Sequence, residues 1–453
     1  MDYSEFLTRK LHEGCDVGFE PKWIPKEAFP FQADLIAWMC RKGRSAVFAD
    51  CGLGKTLMQL TWAKNAFEKS GKRVLVLTPL AVAPQTVQEG RKFGIDCEQS
   101  RDGKSDAPIT VTNYQQLDKF DSKDFSAVVC DESSILKNFD GALKSQITDF
   151  MRKVPYRLLC TATAAPNDYI ELGTSSEALG ELGFMDMLSR FFKKAEATTS
   201  RSDEFRSGVY RFRGHAKEFF WRWVCSWARA LRKPSDIGHP DDGHVLPKLT
   251  VNDHVVSAST RRDGFLFDMP AITLEEQRDE RRRTIQERCE LAASLLANTG
   301  KPGIAWCHLN PEGKLLEKLI PGAVEVEGSD PDEFKEETFK AFVDGQIRVI
   351  VTKPTIAGFG LNFQHCAHQT FFVSHSFEQY YQAVRRSWRF GQRNPVTVDC
   401  IASEGERAVM SNLRRKAKSA EEMFEQLIAM MNNELRIARS NSKATKTEIP
   451  NWL

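Results

Sequence analysis

Between Ser45 and Lys69 the chain reads SAVFADCGLGKTLMQLTWAKNAFEK. An apolar run, Ser45 to Asp50, stops at a glycine-rich turn, and an amphipathic run follows at once, which predicts strand, loop and helix in succession. Gly52 and Gly54 let a backbone turn so that its N–H groups face an anion, and the start of the following helix adds favourable partial charge. Lys55 has the reach for β- and γ-phosphate oxygens, and the Thr56 hydroxyl suits a Mg²⁺ ligand. The strict phosphate-loop pattern begins with glycine, whereas Ala49 stands here, so the reading rests on the strand–loop–helix context. The bland alternative is a glycine-rich turn that packs a helix on a sheet.

Downstream, RVLVLT (Arg73–Thr78), ITVTNY (Ile109–Tyr114), AVVCDE (Ala127–Glu132) and YRLLCTAT (Tyr156–Thr163) read as further strands, with amphipathic runs such as APQTVQEGRKF between several of them. Strands this apolar, alternating with helices, predict a parallel sheet covered on both faces. The pattern restarts with GIAWCH (Gly303–His308), AVEVEG (Ala323–Gly328), IRVIVT (Ile347–Thr352), TFFVSH (Thr370–His375) and VTVDCI (Val396–Ile401). Two α/β domains follow from this. The region between them is rich in Phe, Trp and Arg and is predicted to be mostly helical. The expected boundaries are 1–172 and 246–405 for the α/β domains, 173–245 for the insertion and 406–453 for a helical tail.

Composition excludes little but bounds much. The 453 residues suffice for roughly two to four domains with real cores. A formal net charge of +2 argues for no partner by itself, so any nucleic acid must be held by local patches. No apolar run approaches the ~20 residues of a membrane span, and MDYSEFLTRK does not read as a signal peptide. The eleven cysteines are scattered with no CxxC pair, which fits a reduced cytoplasmic compartment. The HCAH stretch (His365–His368) suggests a buried loop sooner than a metal site, because no second ligand cluster accompanies it.

Two further stretches carry chemistry. Asp131 and Glu132 fall at the C-terminal end of a strand, where open parallel sheets place ligands. Alternation points them apart, so Asp131 is expected to hold Mg²⁺ and Glu132 to polarise the attacking water. In QAVRRSWRFGQ (Gln382–Gln392), Arg386 and Arg389 are three apart, a spacing that puts both guanidiniums on one face of a helix. Such a pair suits transition-state charge on a transferring phosphoryl group, and an exposed basic helix is the plain alternative. In the insertion, Phe220, Trp223, Trp227 and Leu231 share a helical face, with Arg222, Arg229, Arg232 and Lys233 largely elsewhere. A core of aromatics with a solvated basic rim is one reading, and a grip on duplex phosphates the other. Arg414, Arg415, Lys416 and Lys418 form a weaker patch.

Taken in order, these stretches resemble helicase superfamily 2, and within it the Swi/Snf-type double-stranded DNA translocases. PFQ with Gln32 resembles the adenine-reading motif, ADCGLGKT the phosphate loop, LTPLAVAPQTVQE motif Ia and VTNY, with Thr112, Asn113 and Tyr114, motif Ib. DESSILKN resembles motif II, CTATAAPNDYIEL motif III, GFGLN with Gly360 motif V and QAVRRSWRFGQ motif VI. The resemblance implies two tandem RecA-like doubly wound parallel-sheet domains, ATP and Mg²⁺ as cofactors, and double-stranded DNA as partner. It implies nucleotide contacts from Gln32, Gly52, Gly54, Lys55, Thr56, Asp131 and Gly360, arginine fingers at Arg386 and Arg389, and nucleic-acid contacts from Thr112 and Asn113. The letters depart from the family at DESS, at Lys353–Pro354 and at Arg385. The length suggests a short bacterial or bacteriophage form, a monomer by default. The expected function is an ATP-driven DNA translocase; a strand-separating DNA or RNA helicase and an ATP-gated adaptor in a replication, recombination or modification complex are the alternatives.

Overall fold

The computed structural model describes residues 16–137, 141–165, 169–194, 210–214, 216–258, 274–297, 299–357 and 361–444. They divide into two compact units, one of residues up to Asp241 together with those from Ala420 onward, the other Asp242–Ser419.

In the first unit, β1 (Arg44–Ala49), β2 (Arg73–Thr78), β3 (Cys97–Gln99), β4 (Ile109–Asn113), β5 (Phe125–Asp131) and β6 (Tyr156–Thr161) are parallel and nearly all buried. A short antiparallel pair, β7 (Phe192–Lys194) with β8 (Tyr210–Phe212), stands apart from them. The fragment β9 (Ala228–Leu231) joins the main sheet, whose order is β3-β4-β2-β5-β6-β1-β9. Burial of Val74–Leu77 and Ala127–Cys130 on both faces explains why these strands read as unbroken apolar runs.

The aromatic segment beyond residue 173 belongs to this unit by its packing. Phe220, Trp221, Trp223 and Trp227, on the helix Ala216–Trp227, are buried in the same core as β1 and β5. Trp227 meets Phe48 edge-on, with centroids 6.3 Å apart. The predicted helix does not continue through Arg229 and Leu231. After Trp227 the chain becomes extended, and Ala228–Leu231 pairs with Ala46–Ala49. Met423, Phe424, Leu427 and Met431 complete this core, and the Ala230 amide donates to Met431 Sδ at 3.2 Å.

The second unit holds β10 (Leu249–Val256), β11 (Gly303–Trp306), β12 (Ala323–Val326), β13 (Val349–Thr352), β14 (His368–Phe372) and β15 (Val396–Ser403). They form one parallel sheet in the order β10-β15-β14-β11-β13-β12. Each unit is a RecA-like α/β domain. Arg288 and Glu312 form an ion pair at 2.8 Å with both side chains almost wholly buried, which fixes the helix Ile285–Ala297 on the helix Asn310–Leu319. Of the HCAH residues, His368 Nε2 meets Asp399 Oδ2 at 2.7 Å, and His254 Nε2 meets the other oxygen of that carboxylate at 2.8 Å. Among the described residues no three His, Cys, Asp or Glu side chains gather as a metal set.

Candidate nucleotide site

The phosphate loop begins where β1 ends and stops at the helix Lys55–Ser70. Gly54 is the residue before that helix, with φ 76°, a left-handed conformation that side chains resist. A second constraint acts there: a Cβ on Gly54 would lie 2.3 Å from Gln32 Nε2. Gln32 is buried and spans the loop, donating from Nε2 to the Leu53 carbonyl at 2.9 Å and accepting the Phe29 amide on Oε1 at 3.0 Å. The glutamine therefore shapes the loop, with one N–H and one lone pair left for other partners. Lys55 Nζ lies within the loop and donates to the Ala49 carbonyl at 2.8 Å. Thr56 follows it, half-buried in the first turn of the helix.

The acids sit at the end of β5. Asp131 is buried, and its Oδ1 accepts a 2.6 Å hydrogen bond from Gln59 Nε2, one turn into the phosphate-loop helix. Burial pushes the Asp131 carboxyl above its ordinary pKa, against the opposing pull of Gln59 and of the Lys55 charge. A carboxylate that needs a compensating cation, beside a hydroxyl and an ammonium, is a hard-oxygen set that fits Mg²⁺ and phosphate. Glu132 is the one non-glycine residue among those described with positive φ, 51°. Such a conformation costs on the order of 1 kcal/mol or more and is sustained by its surroundings. Thr161 Oγ1, at the end of the neighbouring β6, donates to Glu132 Oε2 at 3.3 Å. The two acids thus have separate partners, although Glu132 lies beyond the end of β5, where strand alternation no longer sets its direction.

In the second unit, Arg386 lies on the helix Phe377–Ser387, whose start Ser376 caps by accepting the Gln379 amide. The expected helical pairing of Arg386 with Arg389 is corrected here: the helix ends at Ser387, and Arg389 lies beyond it. Trp388 leaves the helical path, its indole Nε1 tied to the Pro247 carbonyl at 2.7 Å. The two guanidiniums still converge, because Arg386 and Arg389 donate to the same Leu361 carbonyl at 3.1 and 3.2 Å. Arg386 is 4% exposed. Gly360, expected at the nucleotide, lies outside the described residues, as do Asn138, Pro166 and Asn167.

The residues expected at nucleic acid divide. Arg222 is exposed on the helix Ala216–Trp227. Arg229 is half-buried over the Trp38 ring at 4.4 Å and donates to the Ala228 carbonyl, while Arg232 pairs with Glu421 at 3.2 Å and lies over Phe424. Thr112 is buried with its hydroxyl donating to the Ser100 carbonyl at 2.8 Å, and Asn113 Oδ1 accepts the Gln115 amide at 3.1 Å. Gln59 is a site residue that sequence reasoning did not single out; its one signal is a polar letter inside the apolar run LMQL.

A phosphate loop, a buried metal-ready acid and a second acid held by a threonine, all at the C-terminal ends of parallel strands, define a nucleotide-hydrolase type of domain. Residues 29–172 match the DEAD/DEAH box helicase family. This makes the first α/β domain a helicase-type domain, and the series of motifs from Gln32 to Gln392 is similar to that of helicase superfamily 2, Swi/Snf type. Mouse "DNA annealing helicase and endonuclease ZRANB3" is 27% identical over 192 residues, 38% of this chain and 18% of that protein. "Putative protein p41" of Acyrthosiphon pisum secondary endosymbiont phage 1 is 27% identical over 198 residues, 38% of this chain and 42% of that protein. The chain thus spans less than half the length of these curated relatives. Among solved structures, S. cerevisiae Dbp5 bound to RNA and ADP BeF3 superposes with a TM-score of 0.54 at 13% identity, over 88% of this chain and 93% of that one, a likeness of fold. The Sulfolobus solfataricus SWI2/SNF2 ATPase core in complex with dsDNA covers 85% of this chain and 90% of that one, at 17% identity and a TM-score of 0.43.

Proposed function

We propose that the protein is an ATP-driven motor that tracks double-stranded DNA, acting in the cytoplasm of a bacterium or a phage-infected host. The observation that carries the reading is the hydrogen bond from Gln59 to the buried Asp131, with the Lys55 charge acting on that carboxyl, next to a Glu132 held by Thr161. ATP would enter with its phosphates along the loop from Cys51 to Thr56, where backbone N–H groups and Lys55 offset their charge. Thr56 and Asp131 would hold Mg²⁺, which when bound neutralises charge on the β- and γ-phosphates. Glu132 orients and polarises the water that attacks the γ-phosphorus as the bond to the β-phosphate oxygen breaks. Arg386 and Arg389, brought together at the Leu361 carbonyl, supply fixed positive charge for the transition state. Contacts along the DNA backbone are sequence-independent and electrostatic, with Arg222, Arg229 and Arg232 as candidate donors, of which Arg222 is the exposed one.

The test is ATP turnover with duplex DNA, single-stranded DNA and RNA, run beside Glu132→Gln. Duplex DNA should stimulate most, and Glu132→Gln should bind ATP but not turn it over. Stimulation by single strands or RNA alone moves the reading to a strand-separating helicase. Turnover indifferent to every nucleic acid moves it to an ATP-gated adaptor, and a fully active Glu132→Gln removes the role given to that residue.

A further inference from the structure

Tyr114 closes the VTNY stretch at the end of β4, immediately after the two residues expected at nucleic acid. In the sheet, β4 is not a neighbour of β5, because β2 lies between them. Tyr114 nevertheless reaches past the end of β2, and its hydroxyl donates to the backbone carbonyl of Asp131. Cys130 Sγ lies 3.2 Å from the same hydroxyl. The ring is 1% exposed, and burial with the adjacent Cys130, Asp131 and Glu132 keeps the phenol well above its ordinary pKa, so it is a neutral O–H donor.

The acceptor makes this contact more than the satisfaction of a buried hydroxyl. The Asp131 carbonyl belongs to the peptide plane that leads into Glu132, the residue with φ 51°. Turning that plane would swing the Glu132 carboxylate away from Thr161 Oγ1 and from wherever it holds water. Tyr114 grips the plane from the backbone side, while Thr161 grips the carboxylate from β6. At its other end, Tyr114 is continuous with a stiff turn: Asn113 Oδ1 accepts the Gln115 amide, Thr112 is anchored on Ser100, and Tyr114 itself starts a short 3₁₀ segment whose second residue, Gln115, is exposed. A load on this turn has a side-chain route to Glu132 that needs no movement of β2.

We infer that Tyr114 is a positioning residue that couples nucleic-acid contact at the turn after β4 to water activation by Glu132, holding the Asp131–Glu132 peptide plane through its hydroxyl. The inference rests on the ATPase reading above. It differs from the hydrogen bond of Thr161 to the Glu132 carboxylate in acting on the backbone of the acid and from the opposite side.

Tyr114→Phe deletes the hydroxyl and keeps the ring. Turnover at saturating ATP and duplex DNA should fall roughly tenfold, the rate equivalent of one hydrogen bond's free energy. The KM for ATP and the DNA affinity should stay within about twofold, so that kcat and the stimulation ratio change while binding does not. Wild-type stimulation in a folded Tyr114→Phe protein overturns the inference. A lowered Tm with KM and kcat moving together assigns the hydroxyl to packing and overturns it as well. If Tyr114→Phe does not fold, hydrogen exchange on the full wild-type chain decides: adding duplex DNA without ATP should raise protection at the Glu132 and Ser133 amides, and unchanged protection overturns the inference. A wild-type protein whose turnover ignores nucleic acid fails at the ATPase reading, whereas a stimulated wild type with an equally stimulated Tyr114→Phe fails only at the coupling.

Discussion

Gly54→Ala tests the geometry of the phosphate loop, and its size follows from two separate costs. At φ 76° an added Cβ carries the left-handed penalty, about 1–2 kcal/mol. The same Cβ would stand 2.3 Å from Gln32 Nε2, so Gln32 must withdraw and release the Leu53 carbonyl. A buried hydrogen bond lost in this way costs about 1 kcal/mol. Together they come to roughly 2–3 kcal/mol, which weakens ATP binding by about 30- to 150-fold if it is all taken from the bound loop conformation. For a domain of this size the same cost lowers the Tm by about 4–12 °C if it falls on global stability. Equilibrium titration with a fluorescent ATP analogue and thermal melting of the apo protein read the two shares. Gln32→Ala separates the components: it forfeits the hydrogen bonds to the Leu53 carbonyl and from the Phe29 amide without any clash, and the double variant should cost less than the sum of the two single variants, since the clash has no partner left. The reasoning is refuted if Gly54→Ala binds and melts like wild type, or if the two losses simply add.

Arg386→Ala should lower nucleic-acid-stimulated turnover by about a hundredfold to a thousandfold with ATP affinity within threefold, and Arg386→Lys should restore little, because an ammonium lacks the planar fork that binds the Leu361 carbonyl and keeps further N–H donors; steady-state kinetics with a binding titration checks both. His308, in the second unit, donates from Nε2 to the Phe372 carbonyl, and burial pulls its pKa down to about 4. The unfolded chain takes up a proton near pH 6.5 that the folded one refuses, so stability should fall as pH drops from about 6.5 toward 4 and level off below that. Urea midpoints at pH 7 and pH 5 should differ less in His308→Gln than in wild type.

All ten strands read from apolar runs are present, because a parallel sheet buried on both faces writes its strands as unbroken hydrophobic letters. Five of the described strands are left unread: β3, β7 and β8 are three residues each, too short to show a period, and β9 and β10 have letters that answer to distant partners. In β10, LTVNDHVV, an edge strand with no fully buried residue, the Asn252 and His254 side chains bond the buried Asp399 carboxylate, 147 and 145 residues away, and no apolar alternation marks the strand. In β9, ARAL has helix-forming letters that continue the preceding helical period. What makes it a strand is an unpaired edge of β1, with the Asp50 amide taking the Leu231 carbonyl at 3.0 Å. Local propensity loses there to a tertiary hydrogen-bond ladder.

The candidate site divides along the same line. Gly54, Lys55 and Thr56 are legible because a helix start after a tight turn does its chemistry within a few residues. Gln59 and Tyr114 are not, since each acts on the acid pair from a distance in sequence, 72 residues for Gln59 and Asp131. The arginines show the limit of periodicity most plainly. Their spacing suggests one helical face, yet the helix ends before Arg389, and what unites the pair is a carbonyl at Leu361 that no helical period points to. A three-residue interval in sequence was therefore a sound guide to which residues converge and a poor one to how. Convergence on a shared acceptor also constrains chemistry that helical stacking would not. Two guanidiniums fixed on one oxygen move together, so a displacement of Leu361 would disturb both, and single substitutions of Arg386 and Arg389 should fail to add.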